Sequence, residues 1–232
     1  MTVIQDKEQL QKYISVHGIE PIFNEHLMPH LSLYSYDVGE LICSKGDTPE
    51  ILYLLVKGKI KIFTTSAEGK TLILSFKKPL EVIGDIEYIQ GTDLINTVEA
   101  VSPVHMIGIP YRWLNQYGRN HPPLLQFLLE IITRKFYIKS NFLSFNLMYP
   151  VEVRLASYLL SVTFDESDSG FEGQLSTLSL GDTANLIGTS YRHLNRVIQR
   201  FSMEGLVERS KGVILVKNRE GLKELASTNI YE

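Results

Sequence analysis

The stretch from Ser190 to Ser202 has the residue types and spacing with the clearest chemistry. At about 100° per residue, its apolar side chains fall on one side of a helix. They are Leu194, Val197, Ile198 and Phe201. The other side has only hydrogen-bonding groups, and these are Tyr191, Arg192, Asn195, Arg196 and Gln199. The DNA major groove accepts one α-helix, and Arg, Asn and Gln make paired hydrogen bonds to purine edges. The pattern therefore predicts a helix whose exposed face contacts bases.

The neighbouring sequence predicts the elements that would hold this helix. Gly188 suits a tight turn before it, because glycine adopts left-handed backbone conformations freely, and Ser190 can cap its first turn. Ser179 and Asp182 have the spacing of a cap pair for a preceding helix. Downstream, two short strands around Lys211-Gly212 predict a β-wing. We expect phosphate contacts from the hydroxyl and basic groups beside the base-contacting face: Ser179, Thr189, Ser190, His193, Arg200, Arg209 and Lys211.

Composition and charge restrict the function classes. The 232 residues have a net charge of −3, but residues 182–219 contain seven Lys or Arg against three Asp or Glu, so the basic excess is local. The single Cys43 excludes an internal disulfide and cannot supply the thiolates of an iron–sulfur cluster. The sequence has no P-loop, dinucleotide fingerprint, G-x-S-x-G or H-E-x-x-H pattern, so we expect no enzyme. Without a long apolar run or a secretory signal, we expect a cytoplasmic protein with no membrane contact.

Residues 31–110 predict an antiparallel β domain. Short apolar runs are separated by turn signals such as KGD, KGK and AEGK at intervals of roughly 8–12 residues, a spacing typical of a sandwich or roll. The segments 59–65 and 71–76, joined by SAEGK with Gly69, predict a hairpin.

A long helix is predicted from Pro122, and it has two apolar rows. The first follows steps of four and three, as in a coiled-coil seam, and we assign it to dimerisation. It consists of Leu124, Leu128, Ile131, Ile138, Phe142 and Phe145, with Lys135 within the row. The second row, which includes Leu125, Leu129 and Phe136, would then cover the β domain, so we expect a symmetric homodimer. A helix buried within a monomer is the alternative. Tyr149-Pro150 predicts a break before a second, shorter helix.

These segments resemble the CRP/FNR superfamily of bacterial transcription regulators. The sequence LGDTANLIGTSYRHLNRVIQRFSMEGLVERSKGVILVKN is similar to that family's winged helix-turn-helix, and VGELICSKGDTPEILYLLVKGKIKIFTTSAEGKTLILSF to its cyclic-nucleotide-binding β-roll. VIGDIEYI and SYRHLNRVIQRF resemble the YeiL-like branch, and the lone Cys43 argues against the iron–sulfur cluster associated with it. The resemblance implies an α+β fold: a β-roll sensor domain with N-terminal helices over 1–121, a dimerisation helix over 122–148, and a winged helix-turn-helix DNA-binding domain over 149–232.

Carried over residue by residue, the resemblance implies a changed operator. Members that respond to cyclic AMP contact bases through an R-E-x-x-x-R pattern, whose places hold Tyr191, Arg192 and Arg196 here. Only Arg196 is retained, and we expect it to keep a guanine contact.

The resemblance also implies a degenerate effector pocket. Members that bind cyclic AMP place a Gly-Glu pair against the ribose and an Arg-Ser or Arg-Thr pair against the cyclic phosphate. The corresponding segments here are Gly84-Asp85 and Leu94-Ile95. Because no cation would offset the desolvation of the phosphate, we expect no tight binding of cyclic AMP or cyclic GMP.

Other effector chemistry has weaker support in the sequence. His105 matches the residue type of a haem ligand in related sensors, but a structural histidine on a strand is the better interpretation. His26 and His30 have metal-chelating i,i+4 spacing, but Pro29 intervenes. Cys43 is either a redox-responsive thiol or a buried structural cysteine, and we favour the second. We therefore expect no metal and no cofactor.

The expected partners are a double-stranded, near-palindromic DNA operator, a second copy of the chain, and RNA polymerase if the protein is an activator. An effector small molecule is unknown. The alternative function is a ligand-responsive regulatory module that acts on a protein partner, in which the C-terminal domain makes protein contacts.

Overall fold

The computed structural model describes residues 1–67, 69, 71–162, 174–176, 180–210 and 213–226. The chain divides into two compact units. The first comprises Met1–Ile62 and Phe76–Lys135, and the second comprises Phe63–Ser75 and Phe136–Glu232. The division falls within the long helix, whereas the sequence predicts boundaries at its two ends, and those boundaries stay a prediction.

The described residues form twelve strands and eight α-helices. The strands are β1 (Thr2–Ile4), β2 (Ser32–Tyr36), β3 (Leu41–Cys43), β4 (Ile51–Lys57), β5 (Ile60–Thr65), β6 (Thr71–Lys77), β7 (Glu81–Ile83), β8 (Thr97–Ala100), β9 (Val104–Pro110), β10 (Gln174–Ser176), β11 (Val207–Ser210) and β12 (Val213–Val216). The helices are α1 (Lys7–Val16), α2 (Asp85–Gln90), α3 (Tyr111–Trp113), α4 (Pro122–Met148), α5 (Val151–Val162), α6 (Leu180–Leu186), α7 (Tyr191–Met203) and α8 (Arg219–Ala226).

Two antiparallel sheets form the roll. One has the strand order β1-β2-β9-β4-β7, and the other has the order β3-β8-β5-β6. The predicted hairpin is confirmed by β5 and β6, which are neighbours in the second sheet. Gly58 turns the chain between β4 and β5 at φ +88°, and a Cβ there would collide with the carbonyl oxygen of Pro103. Only glycine fits this turn without displacing backbone.

The long helix contributes to the core of the first unit. Leu124, Leu128 and Ile131 are at most 5% exposed and belong to one apolar cluster with strands and helices of that unit. This placement corrects the sequence assignment of these three residues to the dimer contact, because their own chain already covers them. Of the remaining assigned residues, Phe145 is buried, whereas Ile138 and Phe142 are half-buried.

The second apolar row of α4 is the exposed one. The exposed fractions are 42% at Leu125, 60% at Leu129, 71% at Phe136 and 64% at Leu143. Two rows of similar hydrophobicity look alike in sequence, and only packing decides which one the roll covers. The predicted break after α4 is confirmed, because α4 ends at Met148 and α5 begins at Val151.

In the second unit, α5 packs against α7 and α8, and α6 packs against α7. A small antiparallel sheet of order β10-β12-β11 completes the unit. Apolar side chains from each of these helices are buried, including Leu155, Leu194 and Leu222. Among the helices in the described ranges, none has both the length and the apolar character needed to cross a bilayer.

Candidate nucleic-acid interface

The helix predicted to contact bases is α7, and its start is capped as expected. Ser190 has extended backbone angles, and its hydroxyl accepts a hydrogen bond from the backbone N–H of His193 at 3.2 Å. This bond satisfies one of the amide donors that a helix leaves unpaired at its first turn. The predicted cap pair of the preceding helix lies outside what the structure describes, since Ser179 and the side chain of Asp182 are not among the described groups.

The two faces of α7 separate as the sequence predicts. Its apolar side is buried, with exposed fractions of 0% at Leu194, 3% at Val197, 1% at Ile198 and 0% at Phe201. On the other side, Tyr191, Arg192, Arg196 and Gln199 are exposed, and Asn195 is half-buried. The buried side fixes the helix to its unit, so the polar side chains are presented together to solvent.

Asn195 has two internal hydrogen bonds that set the orientation of its amide. Its Nδ2 donates to the backbone oxygen of Tyr191 at 3.2 Å, and its Oδ1 accepts from Nη1 of Arg209 at 3.3 Å. Arg209 lies on β11, the first strand of the predicted wing. The structure therefore brings a cation of the wing next to the face that is predicted to contact bases. Lys211, the other wing cation in the prediction, lies outside the described residues.

The turn before α7 has the geometry of a helix-turn-helix. Gly188 has φ +66°, the left-handed conformation that glycine adopts without strain. The backbone N–H of Thr189 donates to the oxygen of Ala184 at 2.8 Å, which closes the end of α6. Thr189 and His193 are half-buried, and Ser190 is exposed.

Arg200, a predicted phosphate contact, has an internal partner. Its Nη2 lies 2.9 Å from Oε1 of Glu152 on α5, and its Nε lies 3.8 Å from Oε1 of Glu204. The backbone amide of Glu152 and then the Arg200 guanidinium lower the pKa of the Glu152 carboxyl. Arg200 therefore joins α7 to α5 in the free protein.

The segment matched to the effector pocket contains a buried ionic cluster. Asp85 is 2% exposed, and its Oδ1 and Oδ2 lie 2.8 and 2.9 Å from Nζ of Lys135 on α4. The same Nζ donates to the backbone oxygen of Val82 at 2.7 Å and lies 3.0 Å from Oε1 of Glu81. Sequence reasoning missed this cluster, although a charged Lys135 within an apolar row was a signal for a buried partner.

The remaining pocket residues lie beside this cluster in sequence. Leu94 is 8% exposed and Ile95 is 41% exposed. The backbone N–H of Ile95 donates to Oε1 of the buried Glu87 at 3.2 Å. In the first turn of α2, both acidic side chains are thus already bound by groups of the same chain.

The candidate sensor residues are held by structural contacts. Nδ1 of His105 lies 2.9 Å from the hydroxyl of Tyr13, and burial and then Lys57 lower the pKa of His105. His30 stacks on Trp113 with 3.7 Å between ring centroids. Burial, and then the Glu87 carboxylate, raise the pKa of Cys43 to about 12. Within the described part of the chain, no three His, Cys, Asp or Glu side chains are grouped so that they could hold a metal ion.

Comparison with protein families gives two matches along the chain. The cyclic nucleotide-binding domain family matches residues 33–121, and the Crp-like helix-turn-helix domain family matches residues 153–225. The chain is 28% identical to the regulatory protein YeiL of Escherichia coli O157:H7 over 194 residues, which are 84% of this chain and 85% of that protein. It is 21% identical to a CRP-like cAMP-activated global transcriptional regulator of Mycobacterium tuberculosis over 211 residues, 90% of this chain and 94% of that protein.

Solved structures show the same fold. TTHA1359, a CRP/FNR-family transcriptional regulator from Thermus thermophilus, superimposes with a TM-score of 0.65 at 21% identity, over 85% of this chain and 99% of that one. A CRP/FNR-family regulator from Eubacterium rectale gives a TM-score of 0.68 at 20% identity, over 94% of this chain and all of the other. The predicted α+β fold, with a β-roll, a long helix and a C-terminal winged helix-turn-helix, is confirmed. The resemblance drawn from the motifs is confirmed as well, and the chain belongs to the CRP/FNR superfamily of transcription regulators.

Proposed function

We propose that this regulator is a homodimer that binds a near-palindromic DNA operator through α7. The observation that carries the proposal is the division of α7 into a buried apolar side and an exposed side of hydrogen-bonding groups. The base-contacting residues are Tyr191, Arg192, Asn195, Arg196 and Gln199. Asn195 also accepts a hydrogen bond from Arg209, which lies beside them. Thr189, Ser190, His193 and Arg209, together with Ser179 and Lys211, contact phosphates.

The exposed row of α4 supports the dimer. Leu125, Leu129, Phe136 and Leu143 are separated by steps of four, seven and seven, so they lie along one side of the helix. A contiguous apolar stripe of this length is unusual on a monomer surface. In the proposed dimer, the two α7 helices would lie about one DNA turn (~34 Å) apart, the spacing that a palindromic site requires.

The cluster around Lys135 supports regulation without a cyclic nucleotide. A ribose hydroxyl would have to compete with Lys135 for both carboxylate oxygens of Asp85. The cyclic phosphate would meet Leu94 and Ile95 where a cation would be needed. Neither the ribose hydroxyl nor the cyclic phosphate of such a ligand would therefore find a free polar partner at these residues.

Selection of bound duplexes from a random pool by the purified protein tests this function. We expect enrichment of a near-palindrome whose half-sites lie one helical turn apart. Arg196→Ala should cost roughly 1–3 kcal/mol at one base position of each half-site and relax the preference there. Arg119→Ala, which removes an exposed arginine of the first unit, is the matched control and should leave the selected sequence unchanged.

Two outcomes would contradict the proposal. A pool with no enriched sequence, even at low salt, would favour the alternative in which the C-terminal unit contacts a protein. An equal loss on all duplexes from Arg196→Ala would remove the base-contacting role of α7.

A further inference from the structure

Two polar side chains bind the backbone at the turn between α6 and α7. Arg154, on α5, is 8% exposed, and its Nη1 donates to the backbone oxygens of Ile187 and Gly188. Asn146, in the last turn of α4, donates from Nδ2 to the oxygen of Leu186 at 3.2 Å. Three consecutive carbonyls at the end of α6 are therefore bound from α4 and α5. We name this set of contacts the turn clasp.

The same guanidinium also binds the end of the long helix. Nη1 of Arg154 donates to the backbone oxygen of Asn146 at 2.8 Å. The last carbonyls of a helix have no partner within it and form the negative end of its dipole. One cation thus joins the carboxyl ends of α4 and α6, which would otherwise repel each other. The planar guanidinium fixes the geometry of its bonds better than an ammonium group does.

The glycine of the turn is fitted to this contact. A Cβ at Gly188 would lie 3.0 Å from Nη1 of Arg154, which is tighter than an ordinary contact. Gly188 therefore permits both the left-handed turn and the close approach of the guanidinium.

The turn clasp also keeps two polar atoms buried without a protein partner. Within the described residues, Nε of Arg154 and Oδ1 of Asn146 have no hydrogen-bond partner. Unpaired buried polar groups are costly. Such groups concentrate where function constrains a site.

We infer that Arg154 and Asn146 are positioning residues that fix the recognition helix α7 relative to the end of α4. The inference rests on the proposed function. In a dimer joined along α4, the angle at this turn sets the distance and rotation between the two α7 helices. Simultaneous binding of two half-sites depends on that geometry, whereas binding of one half-site does not.

Duplex binding by the full-length protein tests the inference with three probes. They are the selected palindrome, the same palindrome with one base pair inserted at its centre, and a duplex with a single half-site. Arg154→Met should weaken binding of the palindrome by about tenfold or more and change single half-site binding by less than about twofold. The wild-type protein should bind the selected palindrome more tightly than the palindrome with the inserted base pair. In Arg154→Met this difference in affinity should shrink by about the same factor as the affinity for the selected palindrome. Arg154→Lys keeps the charge but replaces the planar guanidinium by an ammonium group, and we expect the same direction with a smaller loss.

Asn146→Ala keeps the test decisive if the Arg154 variants do not fold, which thermal unfolding will show. It removes one hydrogen bond from a half-buried side chain and should reduce the spacing preference measurably. Lys223→Met, at an exposed cation of the same unit, is the control and should change nothing. Equal losses on the palindrome and the half-site, or an unchanged spacing preference, would overturn the inference. If the wild-type protein selects no palindrome, the proposed function fails instead.

Discussion

At the scale of single residues, burial decides which groups are free to react or to bind. Cys43 is the only cysteine of the chain, and burial followed by the Glu87 carboxylate raises its pKa to about 12. Thiol reactivity depends on the thiolate, and the raised pKa disfavours the thiolate of Cys43 near neutral pH. Of the two interpretations left open by the sequence, the environment favours the structural cysteine.

Alkylation with iodoacetamide at pH 8 will check this behaviour. We expect Cys43 to react about a hundredfold or more slowly in the folded protein than in urea, because the thiolate fraction falls tenfold with each unit by which the pKa rises. The unfolded chain is the internal control, and a single cysteine makes the mass shift unambiguous. Equal rates in both states would show that Cys43 is an accessible thiolate and reopen the redox interpretation.

At the scale of elements, α4 has one apolar row that is buried and one that is exposed along its length. One row packs in the core of the first unit and brings Lys135 to Asp85 and Glu81, while the other row stays exposed. The exposed row is therefore the surface available to a second copy.

Phe136→Glu should convert the proposed dimer to a monomer. The side chain is 71% exposed, so the charge costs the folded monomer little but would be buried and unpaired in the dimer. Sedimentation velocity at micromolar protein will measure the change. Tyr137→Glu is a closely matched control, since Tyr137 is 65% exposed but points about 100° away from the row. A dimer that survives Phe136→Glu, or one that is lost equally in both variants, would contradict this interface.

The sequence predicts some elements well and others poorly, for physical reasons. The faces of α7 and the hairpin β5–β6 follow from local periodicity and turn chemistry, so they were predictable. The choice of row on α4 was predicted wrongly for Leu124, Leu128 and Ile131, because long-range packing makes that choice. β1 was not predicted, since its three residues are defined by pairing with β2.

The contacts of the candidate site also divide into those that local sequence predicts and those that depend on long-range packing. The outward residues of α7 could be listed from the sequence because helix geometry alone places them. Arg154 could not, because its partners are backbone carbonyls, which every residue has and no residue type marks. The partnership of Asn195 with Arg209 joins two elements and likewise needed the fold.

At the scale of the whole molecule, the excess of basic residues is confined to one segment of the chain, residues 182–219. The net charge is −3, yet the segment around α7 and the wing is basic. Non-specific attraction to DNA should therefore be modest and strongly reduced by salt. Under the proposed function, specific binding depends on the α7 helices of two copies acting together.

Cyclic AMP should leave the stability of the molecule unchanged. A ligand that binds the folded state at a hundred times its Kd stabilises it by about 2.7 kcal/mol, which is several degrees in Tm for a chain of this size. We expect no measurable change in Tm at millimolar cyclic AMP. The cAMP-activated regulator of Mycobacterium tuberculosis is the positive control. A rise in Tm that increases with cyclic AMP concentration would contradict the proposal that the pairing of Asp85 with Lys135 prevents cyclic AMP binding.

The bond between Lys135 and Asp85 also bears on how a cell could use this protein. Under the proposed function, a β-roll that pairs Asp85 with its own Lys135 needs no cyclic nucleotide to complete this site. The cellular concentration of the regulator would then itself control operator occupancy. While most chains are still unpaired, doubling their synthesis raises operator occupancy roughly fourfold by mass action.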